Sequence, residues 1–235
     1  MSKYKQIISL GHFCSPAMEF ERIDRRKFSL PFDWLITPKF IDVIALINNQ
    51  FEDFLNEDYM YQMEKYPQYY RNVKWNIDFY HDFIPIKSFA SQIGKVKDKY
   101  SRRISRFYRV IEEPTLFLRY ITENDVPYIL ANHAEIIKTV KRFHPENEII
   151  FVANSNISLS VSDLAVFYVE KDAEDGVSRR FLDSNEELKK YILDNVEYSA
   201  PKLPTKKQSL FKKIKKAYIK TRRKLGIVYR HNKQC

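Results

Sequence analysis

The sequence predicts an α/β fold: an open, largely parallel sheet flanked by helices, followed by a basic amphipathic helix at the C-terminus. Three observations carry this. Segments 7–10, 115–120, 148–153 and 164–170 read as strands, the first of them a short apolar run expected to be buried. Segments of helical period lie between them. Strands and helices therefore alternate, which favours parallel pairing across the sheet. A chain of 235 residues is long enough for one such domain, residues 1–200, and an appendage, residues 201–235.

The elements follow in order. Residues 7–10 end at Gly11 and read as a buried strand. Ser15 and Pro16 then open a helix that continues to Ile23, because proline at the first helical position loses no hydrogen bond. Thr37 and Pro38 repeat that start, with Phe40, Val43, Ile44 and Ile47 at helical spacing. Between the two helices lies an aromatic loop, Ser29-Leu30-Pro31-Phe32-Asp33-Trp34. Residues 55–72 mix tyrosine, methionine and charge without a period and read as irregular. From Val73 a period of two sets in: Val73, Trp75, Ile77 and Phe79 alternate with polar residues, so a strand is expected, with His81 on its apolar side and Asp82 opposite. Residues 88–110 read as a long charged helix and 126–143 as another. Ser184 and Glu187 have capping-box spacing and open the last body helix, to about Asp194.

Charge divides the chain. Lys and Arg number 40 against 30 Asp and Glu, but residues 201–235 hold 13 of the bases and no acid. The body is thus near −3 and the tail +13. In the tail Phe211, Ile214, Tyr218 and Leu225 share a helical stripe among lysines and arginines, the pattern of a basic amphipathic helix over 208–225. The expected partner for it is an anionic membrane surface; the near-neutral body offers no matching surface for nucleic acid. With four glycines, none spaced for a dinucleotide or phosphate loop, and two cysteines without zinc spacing, no cofactor and no metal are expected. No apolar stretch approaches the length of a membrane span and the N-terminal apolar run is short, so the expected location is cytoplasmic, with peripheral attachment at the inner membrane face.

Cys14 is the principal candidate for chemistry. It follows a buried strand and a glycine and directly precedes a helix, where backbone N–H groups and the helix dipole favour a thiolate. A thiol nucleophile needs a base. His133 and His144 fall on or just after a surface-type helix and His231 in the tail, whereas His81 ends an alternating strand and His12 stands two residues from Cys14; of these His81 is the better partner. The acid that would orient it stays open among Asp82, Asp33 and Asp78. Arg102, Arg103 and Arg106 cluster on one helix and Arg119 ends a strand; guanidinium groups so placed can clamp a carboxylate or phosphate of a substrate.

Taken together, Ser9-Leu10-Gly11 followed by Cys14 and Ala17, then Ser29-x-Pro31-Phe32-Asp33-Trp34, resemble the bacterial family labelled "putative papain-like cysteine peptidase". His81-Asp82-Phe83, the helix Tyr100-x-Arg102-Arg103-x-x-Arg106-Phe107 and Phe117-x-Arg119 are similar to that family's later motifs, so the resemblance spans about residues 6–170. It implies a cysteine nucleophile at Cys14, a histidine partner at His81 and an acidic member at Asp33 or Asp82.

Three functional expectations follow. The first is a cysteine-dependent hydrolase or acyl transferase using a Cys14 thiolate activated by His81. The second is a membrane-associated glycosyl or sugar-phosphate transferase of envelope polysaccharide synthesis, motivated by the tail but lacking a DxD-type metal motif. The third is a non-enzymatic binding module.

Overall fold

A computed structural model describes residues 2–170 and 178–199. Strand β1 (Gln6–Ser9) is entirely buried, and after a tight turn the chain enters α1 (Ser15–Arg22), with Cys14 as its N-cap residue and Pro16 in its first turn. A 3-10 turn, Pro31–Trp34, leads through the short β2 (Leu35–Ile36) into α2 (Phe40–Asn48). That helix begins at Phe40 rather than at the Thr37-Pro38 signal. Lys39 is the N-cap residue and makes no side-chain cap bond. The Phe40 N–H instead donates to Asp125 Oδ1, 2.7 Å away and 85 residues on in sequence, so a tertiary contact does the capping.

The next segment departs most from the expectation. Residues 55–72, read as irregular, hold two strands, β3 (Met60–Met63) and β4 (Tyr66–Asn72). The strand expected from Val73 to His81 is mostly a turn; only β5 (Ile77–Phe79) is extended. Trp75 mimics a strand position because it is buried, but its indole N–H donates to Glu52 O and Asn76 takes a left-handed φ of 48°. The chain here is a hairpin bend, and His81 and Asp82 lie beyond the strand rather than on alternate faces of it. The strands β2-β5-β4-β3 form a four-stranded antiparallel sheet that the sequence did not announce.

The remaining elements follow the expectation closely. They are α3 (Ala90–Val110), β6 (Thr115–Ile121), α4 (Val126–Lys141), β7 (Glu148–Asn154), β8 (Ala165–Val169) and α5 (Glu186–Asn195). Asn185, not Ser184, caps α5: its Oδ1 accepts the Leu188 N–H at 2.8 Å. Ser184 is spent on Phe181 O. The strands β1-β6-β7-β8 form a second sheet, parallel throughout.

Central strand β6 is buried along its whole length, and its side chains divide the core. Phe117 and Ile121 join one cluster with residues of α2, α3, α4 and the inner face of the antiparallel sheet. Leu116, Leu118 and Tyr120 join another with Phe13, Phe20 of α1 and Leu188 and Ile192 of α5. Burial on both faces of β6 explains why its sequence is apolar apart from Thr115 and Arg119, each fully buried apolar side chain being worth about 1.5–3 kcal/mol. The expected basic helix at 208–225 lies outside the described residues. Among the described residues no helix is long and apolar enough to cross a membrane.

Candidate active site

The carboxyl ends of the parallel neighbours β1, β6 and β7 lie side by side along one edge of the sheet, the edge on which open α/β sheets carry their sites. Backbone pairing between β1 and β6 continues past β1 through Leu10, whose N–H donates to Leu118 O at 2.8 Å. The chain then turns through two successive left-handed residues, Gly11 (φ 82°) and His12 (φ 79°), before Cys14 (φ −75°, ψ −18°). Only glycine fits at position 11: a Cβ there would lie 2.5 Å from Thr37 Oγ1.

Cys14 is buried at the head of α1. Around it the carboxyl edge of the sheet is polar. The Tyr120 hydroxyl donates to Asn154 Oδ1 and accepts the Ser178 N–H at 2.9 Å. Ser15 Oγ donates to Arg179 O, so residues 178–179 close over the start of α1. The His12 ring stacks on Tyr120 (centroids 6.0 Å apart) and meets Phe13 edge-on. Its Nδ1 is buried and has no hydrogen-bond partner among the described residues. Burial, reinforced by the nearby Arg119 charge, holds the imidazole at a pKa of about 3, so His12 is neutral at pH 7.

A pH dependence follows from that shift. Below pH 6.5 the unfolded chain protonates His12 while the folded protein does not until about pH 3. The unfolded state therefore binds the extra proton in that window, and stability falls on acidification by up to about 1.4 kcal/mol per pH unit. His12→Asn, which tolerates the left-handed backbone, is expected to flatten this slope in urea titrations between pH 6.5 and pH 4. An unchanged slope would mean that His12 is not the buried neutral group.

Arg119 behaves otherwise than expected. It is fully buried. Its Nη1 donates to Leu10 O (3.1 Å) and Thr37 Oγ1 (2.6 Å), and its Nη2 to Thr37 O (2.7 Å) and Asp125 Oδ2 (3.3 Å). The guanidinium also lies over the Phe40 ring. It is a strut for the β1–α1 turn rather than an accessible clamp for substrate.

His81 is exposed and packs by ring contacts, edge-on to Trp34 at 6.0 Å and to Tyr80 at 5.3 Å. Strand pairing explains the first: Leu35 lies opposite Phe79, so the residues flanking them, Trp34 and Tyr80–His81, come together. The 3-10 turn carrying Trp34 in turn packs on α1. None of the three acids considered for His81 is turned to it. Asp82 accepts from Lys99 Nζ and, at 3.0 Å, from the Tyr100 hydroxyl. Asp78 takes two bonds from Arg71, its cross-strand partner. Asp33 is buried and accepts from Arg26 and from the Leu30 N–H, which shapes the 3-10 turn; burial raises its carboxyl above the ordinary range against the pull of Arg26.

The arginines of α3 separate. Arg102 is exposed. Arg106 donates to Ser29 O at 2.8 Å and stacks on Phe28. Arg103 lies over Tyr100, with a buried Nη1 that has no partner among the described residues. Arg106 thus faces the 28–33 loop, the Arg103 charge acts on Asp33 of the same loop, and of this trio Arg102 is the exposed one. Sequence reasoning passed over Tyr120, Asn154 and Thr37. The strand reading of 115–120 absorbs Tyr120, Asn154 lies just past the strand read at 148–153, and for Thr37 a helix-start reading hides its tertiary role. Among the described residues no group of three His, Cys, Asp or Glu side chains could hold a metal ion.

The sequence model of the family described as "Putative papain-like cysteine peptidase" matches residues 5–154, which contain β1, the Cys14 turn, the antiparallel sheet, β6 and β7. The chain belongs to this family. An uncharacterized protein of Acanthamoeba polyphaga mimivirus is 32% identical over 130 residues, 46% of this chain and 57% of that relative. The chain therefore spans little more than half the length of the relative it matches, and because that relative is viral, a bacterial origin does not follow from the similarity. No solved structure matches. Within the matched range fall Cys14, His12, His81, Asp33 and the arginines of α3.

Proposed function

We propose that this protein is a cysteine-dependent hydrolase or acyl transferase in which Cys14 is the nucleophile. The observation that carries the reading is the position of Cys14: the N-cap of α1, directly beyond the carboxyl end of a parallel strand and inside the range shared with the cysteine-peptidase family. An imidazole takes the thiol proton and the thiolate attacks an acyl carbonyl. The oxyanion is met by backbone N–H groups of the first turn; Pro16 has none, so Ser15 and Ala17 are the donors. The imidazolium returns its proton to the leaving group, and water or an amine releases the acyl group from sulfur.

His81 is the base in this reading. Exposure lets it exchange protons with solvent, and Trp34 fixes its ring beside the turn that packs on α1. A second reading assigns the imidazole to His12, because its buried Nδ1 is without a partner among the described residues and lies two residues from Cys14. Its depressed basicity makes it a neutral hydrogen-bonding partner of the thiol rather than a proton store. Arg102, exposed on α3, is the group to attract an anionic substrate.

The test is the pH profile of Cys14 alkylation in a Cys235→Ser background, which leaves one cysteine. A midpoint well below the ~8.5 of a free thiol is expected. Reversion in His81→Ala identifies the base; reversion only in His12→Asn selects the second reading. An ordinary midpoint, indifferent to both, removes Cys14 as a nucleophile.

A further inference from the structure

Two consecutive left-handed residues are an unusual way to join a strand to a helix. Gly11 takes that conformation without penalty, but His12 does not, and a non-glycine residue there costs about 1–2 kcal/mol. Such strain persists only where surrounding contacts enforce it, and it gathers at functional sites. Here the contacts come from one residue of a distant segment. Thr37 Oγ1 accepts the His12 N–H at 2.8 Å, while the Thr37 N–H donates to His12 O at 3.0 Å. His12 is thus held at both its backbone polar groups by a single threonine.

Thr37 is itself immobilised. Arg119 bonds its hydroxyl and its carbonyl oxygen, and through Nη1 also bonds Leu10 O on the other arm of the turn. Asp125 fixes Arg119 from behind with one carboxylate oxygen and accepts the Phe40 N–H with the other, tying the start of α2 into the same network. The chain of contacts runs from α2 and β6 through Thr37 to the residue that precedes Phe13 and Cys14.

We infer that Thr37 is the positioning residue of the Cys14 site: backed by the buried Arg119–Asp125 pair, it locks the Gly11–His12 turn and so sets Cys14 at the head of α1. This rests on the reading of Cys14 as the nucleophile. Without the threonine hydroxyl the His12 N–H is left unsatisfied and the turn can relax toward ordinary backbone conformations. Cys14 then moves relative to the free N–H groups of the first helical turn, whose dipoles favour its thiolate.

The experiment compares wild type, Thr37→Val and Thr37→Ser, each in the Cys235→Ser background, by the pH midpoint and rate of Cys14 alkylation with iodoacetamide in folded protein. Valine keeps the shape and removes the hydroxyl; serine keeps the hydroxyl. Thr37→Val is expected to slow alkylation at pH 7 at least tenfold and to move the midpoint toward the free-thiol value, while Thr37→Ser stays near wild type. If folded Thr37→Val retains the wild-type midpoint, Thr37 merely supports the fold and the inference falls, with the nucleophile reading intact. If wild type itself titrates as an ordinary thiol, the nucleophile reading fails and takes the positioning role with it. Should Thr37→Val not fold, Asp125→Asn serves: it weakens the anchor of Arg119 and leaves the hydroxyl in place. A partial shift in the same direction supports the inference, and an unshifted midpoint overturns it.

Discussion

Gly11→Ala is expected to destabilise the protein by about 2–5 kcal/mol, through two costs that add at one atom. An L-residue at φ 82° pays the left-handed penalty of about 1–2 kcal/mol. The new Cβ would also lie 2.5 Å from Thr37 Oγ1, which is held by two hydrogen bonds and has no freedom to step aside. Gly94 provides the contrast. It sits inside α3, and a Cβ there meets nothing within 4 Å, so Gly94→Ala should stabilise by about 0.5–1 kcal/mol. Urea midpoints of the two variants should move in opposite directions. Equal small shifts would show that the turn at Gly11 is loose, and the account of Cys14 placement would lose its base.

The second large effect is expected at Arg119. Arg119→Met removes a buried guanidinium that joins four oxygens, and leaves the buried Asp125 carboxylate, among the described residues, with the Phe40 and Thr122 N–H groups alone. Breaking one side of a buried ion pair in this way costs about 3–5 kcal/mol. Lysine cannot repair it, because one ammonium cannot span Leu10 O, both Thr37 oxygens and Asp125 together. Arg119→Lys should therefore recover less than half of the loss in chemical denaturation. Combining Arg119→Met with Asp125→Asn should cost less than the sum of the single changes, since the second removes the charge the first leaves stranded. Strict additivity would mean that the two groups are not coupled and that the turn is held otherwise.

Much of the parallel sheet was legible, and the reason is physical. Strands such as β6 and β7 are buried on both faces, so their sequences are mostly apolar over strand length, broken only at Thr115, Arg119, Glu148 and Asn154. The antiparallel sheet was not legible, because tyrosine serves on both of its faces. Tyr70 points into the core, while its neighbour Tyr69 stacks on Tyr80 at 3.6 Å on the other face. One residue type on both sides erases the polar and apolar alternation on which a strand reading depends. The reverse error arose at Trp75, whose burial in a turn extended a false alternation toward His81.

By itself the sequence determined the α/β class, the order of the parallel strands and helices along the chain, the place of Cys14 between a buried strand and a proline-led helix, and membership of its family on residues 5–154. These are local properties: apolar run length, helical period and a proline that can sit only in a first turn. Only the tertiary structure decided what the charged and polar side chains do. Arg119 became a strut, Asp33, Asp78 and Asp82 were taken by Arg26, Arg71 and the Lys99–Tyr100 pair, and Thr37 became the partner of His12. A buried polar group must find a partner wherever the fold brings one, and these partners lie between 6 and 109 residues away. No local pattern records that distance.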